Sequence, residues 1–75
     1  MVFDRVREMI SQQLDIDIDR ISESTDIADD LGADSLDLVE LMMMAEEEFL
    51  LTIDEEAIKN FHTVGDVVKY IEDSI

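Results

Sequence analysis

Residues 30–41, with the sequence DLGADSLDLVEL, decide the fold of this chain. A glycine suited to a helix-ending turn precedes Asp34 and Ser35, whose residue types begin helices because their side-chain oxygens cap free backbone N–H groups. From Ser35 to about Leu50 the chain contains no Gly or Pro and is rich in Leu, Met and Glu, which favours a helix. We therefore predict a helix over these residues, with Ser35 as an exposed cap at its start.

The two faces of this predicted helix differ in character. Because successive residues of a helix are rotated by about 100°, one side collects apolar side chains that should face the core. These are Leu38, Leu41, Met42, Ala45 and Phe49, with Val39 at the edge. Leu36 and Met43 lie instead among carboxylates, on the face predicted to be exposed. An apolar pair framed by acidic side chains is a candidate docking surface.

The rest of the chain predicts three more helices. Residues 2–14 carry apolar side chains with the three-and-four spacing of an amphipathic helix. Residues 54–61 predict a short third helix with acidic residues at its N-terminal end, where the helix dipole favours them. Residues 63–66, Thr-Val-Gly-Asp, resemble a capping box that begins a last helix running almost to the C-terminus. The buried face predicted for that helix consists of Val64, Val67, Val68 and Ile71.

Residues 15–33 lose the helical period. The alternation of Asp and Ile over residues 15–19 leaves a short strand as an alternative, but the chain offers no second strand to pair with it. We therefore predict a long ordered loop with a turn of helix ended by Gly32. Its apolar anchors on the core are Ile16, Ile21, Ile27 and Leu31. The predicted fold class is all-α: a small four-helix bundle, three main helices plus a short third helix, with a long loop between helices one and two, forming one domain over residues 1–75.

The composition excludes several classes of protein. The 75 residues include 21 acidic and 5 basic ones, which gives a net charge of −16. Such a charge repels nucleic acid and anionic membranes and favours encounter with basic patches on other proteins. The chain contains no Cys, and it shows neither a signal-peptide pattern nor a long apolar run. We therefore expect a monomeric, cytoplasmic protein without nucleic-acid partners or stable membrane insertion.

The chemistry around Ser35 does not favour catalysis. A hydrolytic serine needs a base within reach, yet the only imidazole is that of His62, far along the chain and expected at a surface helix boundary. The carboxylates beside Ser35 would raise the free energy of a serine alkoxide rather than lower it. We therefore predict no catalytic residues and interpret Ser35 as the substrate of another enzyme.

A calcium-binding site is the strongest alternative function that the spacing of the acidic residues suggests. Counted from Asp15, acids occupy positions one, three and five of a calcium-binding loop, and Asp26 occupies position twelve. Arg20 stands where the sharp turn needs Gly, however, and Asp26 stands where a bidentate Glu is expected. We therefore predict no metal site, and keep an acidic calcium-binding or adaptor protein as the alternative of another class.

Residues 31–40 resemble the modification site of acyl carrier proteins without a gap. The likeness continues through residues 46–49, Ile53 and residues 54–57, so that it covers nearly the whole chain. It departs over residues 50–53, Leu-Leu-Thr-Ile, because many acyl carrier proteins have polar residues there and a Pro after the Ile. The resemblance implies a free-standing bacterial-type carrier.

The resemblance also implies a cofactor and a cargo. A phosphopantetheinyl transferase would attach 4′-phosphopantetheine from coenzyme A to Ser35, and the arm would carry growing acyl chains as thioesters between fatty acid biosynthesis enzymes. A carrier of a polyketide or other specialised pathway is the runner-up. Because the chain has no Cys, the arm would have to supply the thiol. The adaptable side chains of Met42, Met43 and Met44 would let the core admit an acyl chain.

The resemblance finally implies a partner-binding face on the second helix. In acyl carrier proteins the matching positions dock synthases, reductases and dehydratases, and we expect basic patches on these enzymes to meet the acidic residues. The predicted contact residues are Asp34, Leu36, Asp37, Glu40, Met43 and Glu47.

Overall fold

The computed structural model describes all 75 residues, and its regular elements are helical. The four α-helices are α1 (Val2–Leu14), α2 (Ser35–Phe49), α3 (Glu55–Lys59) and α4 (Val64–Ser74). A single turn of 3-10 helix, Ile18–Arg20, lies in the connection between α1 and α2. The predicted all-α fold, with its short third helix and long loop between helices one and two, is confirmed.

The core lies where α1 packs against α2 and α4. The spacing that predicted each amphipathic helix places its apolar side chains on the side facing the other two. The most deeply buried are Val6 and Ile10 of α1, Leu41 and Ala45 of α2, and Val64, Val67, Val68 and Ile71 of α4. Each fully buried aliphatic side chain of this kind contributes about 1.5–3 kcal/mol through loss of water contact. The face predicted for α4 is thus confirmed.

The loop between α1 and α2 is ordered by backbone and side-chain hydrogen bonds. Residues 15–19 form no strand: Asp15 ends α1 with a left-handed backbone, and the Asp17 carboxylate accepts from the backbone N–H of Asp19 at 3.0 Å. Farther along, the buried Thr25 hydroxyl oxygen accepts from the backbone N–H of Ser22 at 2.9 Å. The predicted turn ends at Gly32, whose φ of 70° is one that side chains rarely allow.

The predicted loop anchors contact the core to different depths. Ile21 and Ile27 are buried, whereas Ile16 and Leu31 are half-buried against the core. The long connection therefore has a fixed path, and it delivers the chain to the start of α2.

The bounds of α2 lie close to those predicted, and two residues of its predicted core face are only partly buried. The helix ends at Phe49, and Leu50 adopts a left-handed backbone with φ 54° and a side chain that is 91% exposed. Phe49 and Leu38, both predicted to face the core, are only half-buried at its rim. Phe49 lies in the last helical turn, where the chain leaves the bundle, and this position limits its burial.

Candidate functional site

Ser35 is the first residue of α2, and the residue before it forms the cap. The Asp34 carboxylate accepts from the backbone N–H of Asp37 at 2.9 Å, and the Asp37 carboxylate accepts from the backbone N–H of Asp34 at 3.2 Å. This reciprocal capping box satisfies two backbone donors at the helix start. The prediction that Ser35 caps the helix is therefore wrong. The extended backbone of Asp34 is the conformation that a cap requires.

The Ser35 hydroxyl is exposed and makes no hydrogen bond within the chain. The other four serines all do: Ser11 donates to the carbonyl of Ile16, Ser22 and Ser24 bond each other, and Ser74 donates to the carbonyl of Tyr70. No base activates the Ser35 hydroxyl in this structure. The hydroxyl is thus free for chemistry directed from outside the chain.

A groove of about 720 Å³ opens beside Ser35, between α2 and α3. Its deepest residues are Met42, Ile53 and Phe61, all of which are buried. Its remaining lining residues are Ser35, Leu38, Val39, Met43, Glu46, Glu55, Ile58, Lys59 and His62. An apolar floor with a polar rim suits an extended apolar ligand that enters from Ser35.

The three consecutive methionines have different surroundings. Met42 lies in the groove floor and also lines a small, wholly apolar cavity on the core side, so its side chain separates the two spaces. Met43 is 57% exposed at the groove rim, and Met44 is half-buried elsewhere against the core. Of the three, Met42 is therefore the one placed to adjust the depth of the groove.

Most of the predicted partner residues share one exposed surface. Leu36 and Met43 are 64% and 57% exposed, and Glu40 and Glu47 lie on the same stripe of α2. Val39, predicted at the edge of the core face, is also exposed. Glu40 accepts a hydrogen bond from the side chain of Gln13 at 2.7 Å.

Asp34 and Asp37 differ from the other predicted partner residues, because their carboxylates hold the start of α2. We name the stripe formed by Leu36, Val39, Glu40, Met43 and Glu47 the exposed face of α2.

The carboxylates of the α1–α2 loop satisfy backbone donors of the loop itself. Besides the Asp17 contact, Asp26 accepts from the backbone N–H of Asp29 at 2.7 Å. The structure gathers no group of three acidic or histidine side chains that would hold a metal ion. The calcium-loop pattern of residues 15–26 is therefore not matched by a cluster of ligands.

Two further charged contacts stabilise the frame of the site. Arg5 of α1 donates to the Glu48 carboxylate of α2 at 3.1 Å, and this hydrogen bond raises the pKa of Arg5. At the start of α4, the backbone N–H groups of Thr63 and His62 donate to the Asp66 carboxylate at 3.0 and 2.9 Å. These two bonds hold the pKa of Asp66 below its ordinary value.

Sequence reasoning missed the proximity of His62 to Ser35. His62 lies at the surface between α3 and α4, as predicted, yet it lines the same two clefts as Ser35. Two backbone hydrogen bonds bring the segments together: Ile27 N–H donates to the His62 carbonyl at 2.9 Å, and Ala33 N–H donates to the Ile27 carbonyl at 3.2 Å. A one-residue bridge between Asp26 and Thr63 joins the same segments, and the local sequence carries no signal for this contact.

Residues 4–71 match the family model of the phosphopantetheine attachment site. The chain is 46% identical over 74 residues to an acyl carrier protein from Phenylobacterium zucineum, covering 99% of this chain and 94% of the relative. The chain belongs to the acyl carrier protein family. An acyl carrier protein from Clostridium perfringens is 49% identical over 70 residues, covering 93% of this chain and 92% of the relative.

Solved structures of acyl carrier proteins have the same fold. A structure from Mycobacterium tuberculosis assigned to the acyl carrier proteins has a TM-score of 0.91 at 32% identity, covering 97% of both chains. The acyl carrier protein from Enterococcus faecalis has a TM-score of 0.84 at 35% identity, covering 99% of this chain and 94% of the other.

Family membership confirms the predicted 4′-phosphopantetheine cofactor and the predicted acyl carrier function. Acyl carrier proteins are carriers that interact with biosynthetic enzymes rather than catalysts. The free Ser35 hydroxyl and the groove beside it fit the cofactor, because one offers an attachment atom and the other offers space for an extended arm or chain. None of the helices is both long and apolar enough to cross a membrane.

Proposed function

We propose that Ser35 carries the 4′-phosphopantetheine arm, and that this chain, with no catalytic residue of its own, carries growing acyl chains as thioesters in fatty acid biosynthesis. The observation that supports Ser35 most is that its hydroxyl alone among the serines lacks an internal hydrogen bond, while it lies at the mouth of the groove. The arm supplies the thiol that the chain itself lacks.

The attachment is a phosphoryl transfer directed by a separate transferase. The Ser35 Oγ forms a bond to the phosphorus next to the pantetheine of coenzyme A, the pyrophosphate P–O bond breaks, and 3′,5′-ADP leaves. The transferase takes the hydroxyl proton and supplies the Mg²⁺ that balances the phosphate charge. Asp34 and Asp37 hold the helix start rigidly, so that the neighbouring hydroxyl is presented in one place.

The groove provides a place for the acyl chain. Its floor of Met42, Ile53 and Phe61 offers apolar contacts to a hydrocarbon, and such burial would shield a thioester from water. The flexible thioether side chain of Met42 would move to fit chains of different length. We place the cargo here because this groove adjoins Ser35 directly.

The exposed face of α2 is the proposed docking surface for basic patches on the transferase and on fatty acid synthesis enzymes. Its apolar residues Leu36 and Met43 stand between the carboxylates of Glu40 and Glu47, so that one basic patch with apolar neighbours would contact all four. The net charge of −16 would speed encounter with such patches at low salt. We propose that the carrier acts as a monomer in the cytoplasm.

Intact mass spectrometry tests the attachment site. Incubation with coenzyme A, Mg²⁺ and a phosphopantetheinyl transferase should add one phosphopantetheine to the wild type and none to Ser35→Ala. Ser24→Ala, which changes another exposed serine, serves as the matched control and should be modified like the wild type. A modified Ser35→Ala protein would place the arm elsewhere, and an unmodified wild type would refute the carrier proposal.

A further inference from the structure

His62 has no role in the function proposed above, although it shares its surroundings with Ser35. Two clefts adjoin Ser35: the large groove, and a smaller cleft of about 180 Å³ on the side of the α1–α2 loop. Four residues line both clefts, and Ser35 and His62 are the only polar ones among them; the others are Leu38 and Phe61. His62 therefore borders both of the clefts that adjoin Ser35.

The backbone of His62 is held at both of its polar groups. Its N–H donates to the Asp66 carboxylate at 2.9 Å, and its carbonyl accepts from Ile27 N–H at 2.9 Å. The neighbouring Phe61 is buried, which fixes the chain further. The imidazole itself is exposed and makes no hydrogen bond within the chain. A free polar side chain on a fixed backbone is suited to contact a ligand at a defined place.

We propose that the imidazolium of His62 binds the phosphodiester that forms on Ser35, and so acts as a positioning residue that directs the arm toward the clefts. This inference rests on the proposed function, because it takes Ser35 as the attachment site. The phosphodiester adds a negative charge to a chain whose net charge is already −16, so a nearby cation stabilises it. Imidazole carries both a donor N–H and a titratable charge for this contact.

Lys59 is the other basic residue of the groove, and its position is less suitable. It lines the large groove but not the smaller cleft, and its amine lies 3.6 Å from the Glu56 carboxylate. It therefore already has an anionic neighbour on its own helix.

The charged groups that line the two clefts with His62, or bond its backbone, come from four elements. They are Asp26 and Asp34 of the α1–α2 loop, Glu46 of α2, Glu55 and Lys59 of α3, and Asp66 of α4. All six are present before and after modification of Ser35. A comparison of the apo and modified proteins therefore isolates the effect of the phosphodiester.

NMR titration tests the contact directly, because His62 is the only histidine of the chain. The apo and phosphopantetheinylated proteins are titrated between about pH 5.5 and pH 8, where unperturbed imidazole changes its charge. The imidazole proton resonances should titrate at a higher pH in the modified protein than in the apo protein, because a nearby negative charge favours the protonated form of the ring. The ³¹P resonance of the phosphodiester should shift with the same midpoint.

Three variants separate the contact from other causes. In His62→Gln the ³¹P resonance should not titrate in this range, and in His62→Lys it should stay near the low-pH position of the wild type. Lys59→Gln removes a cation from the same groove and should leave the ³¹P titration in place. Because the side chains of His62 and Lys59 are both exposed, circular dichroism should show all three variants folded.

The proposal is overturned if the imidazole titrates identically in the apo and modified proteins, or if the ³¹P titration persists in His62→Gln. Mass spectrometry verifies the modification of each sample before the titration. A failure of Ser35 to accept the arm would therefore refute the attachment site, whereas a modified protein with an unchanged imidazole titration would refute only the contact.

Discussion

The two faces of α2 differ in what their side chains contact. On the buried face, Leu41, Met42 and Ala45 are almost wholly excluded from solvent, and α2 packs against α1. On the exposed face, Leu36 and Met43 are equally apolar but more than half exposed. Hydrophobicity alone therefore does not tell which residues stabilise the fold. The position of a residue around the helix decides whether its side chain is buried. The apolar side chains that remain exposed are available for contact with another molecule.

The same contrast holds between neighbouring residues at the start of the helix. The Asp34 carboxylate is bonded to the backbone, whereas the Ser35 hydroxyl has no partner. One residue stabilises the helix, and the next is free to react. Substitutions that compare an engaged residue with a free neighbour test this division.

The largest change in the free energy of unfolding is expected for Leu41→Ala. Leu41 is 1% exposed, so the substitution leaves a cavity and should lower the free energy of unfolding by about 3 kcal/mol. Met43→Ala, two residues away, should change it by less than about 0.5 kcal/mol. Urea denaturation followed by circular dichroism measures both. Similar losses in the two variants would show that the faces are assigned incorrectly.

A smaller effect is expected for Asp34→Ala, which removes the cap of α2. Loss of the Asp34 cap should cost about 1 kcal/mol, because the N–H of Asp37 loses its acceptor. Ser35→Ala should cost less than about 0.5 kcal/mol, since its hydroxyl has no partner. Urea denaturation measures the free energy of unfolding of both variants. A larger loss in Ser35→Ala than in Asp34→Ala would show that the serine caps the helix.

The contribution of the Asp66 carboxylate at the start of α4 can be tested by the pH dependence of stability. The folded pKa of Asp66 lies below its ordinary value of 3.8, because Thr63 and His62 donate backbone hydrogen bonds to the ionised form. The resulting stability is fully present above about pH 4 and is lost as the pH falls through the lowered pKa. Asp66→Asn should therefore be less stable than the wild type at pH 7, and the difference should shrink below about pH 3.5.

Acid titration of thermal unfolding measures this convergence. A stability difference between Asp66→Asn and the wild type that stays constant down to pH 2 would contradict the role of the ionised carboxylate.

A gain in stability, in contrast to the losses above, is expected at the other end of α2, where Leu50 has a left-handed backbone. This conformation costs an L-residue about 1–2 kcal/mol, while glycine adopts it freely at an entropic cost of about 0.5–1 kcal/mol. Leu50→Gly should thus raise the free energy of unfolding by up to about 1 kcal/mol. Leu50→Ala retains the backbone strain and should change little, because the leucine side chain is 91% exposed. Destabilisation by Leu50→Gly would show that this side chain contributes to the fold.

Much of the fold could be predicted because its signals are local. The spacing of Val64, Val67, Val68 and Ile71 indicated the face of α4, and the exposed positions of Leu36 and Met43 followed from the rotation of residues around α2. The position of Ser35 at a helix start followed from its preceding glycine turn. These features depend on nearby residues alone.

The remaining features depend on backbone conformation or on distant contacts. Asp34 and Ser35 are both capping residue types, and only the extended backbone of Asp34 shows which one caps α2. The left-handed backbone of Leu50 has no signature in a leucine. The meeting of His62 with Ser35 depends on hydrogen bonds between segments more than thirty residues apart, such as Ile27 N–H to the His62 carbonyl. Periodicity carries no information about such contacts.

We propose that the exposed face of α2 serves recognition and not stability. The most direct test is the association rate of modified Glu47→Lys with a condensing enzyme, measured by stopped flow at low and high salt. Glu72→Lys on α4 is the matched control, since it makes the same change in net charge at another exposed position. We predict slower association for Glu47→Lys, most strongly at low salt, with unchanged melting and a much smaller effect for Glu72→Lys. Equal rates in the two variants would contradict a recognition role for this face, because they would show that only the net charge of the chain matters.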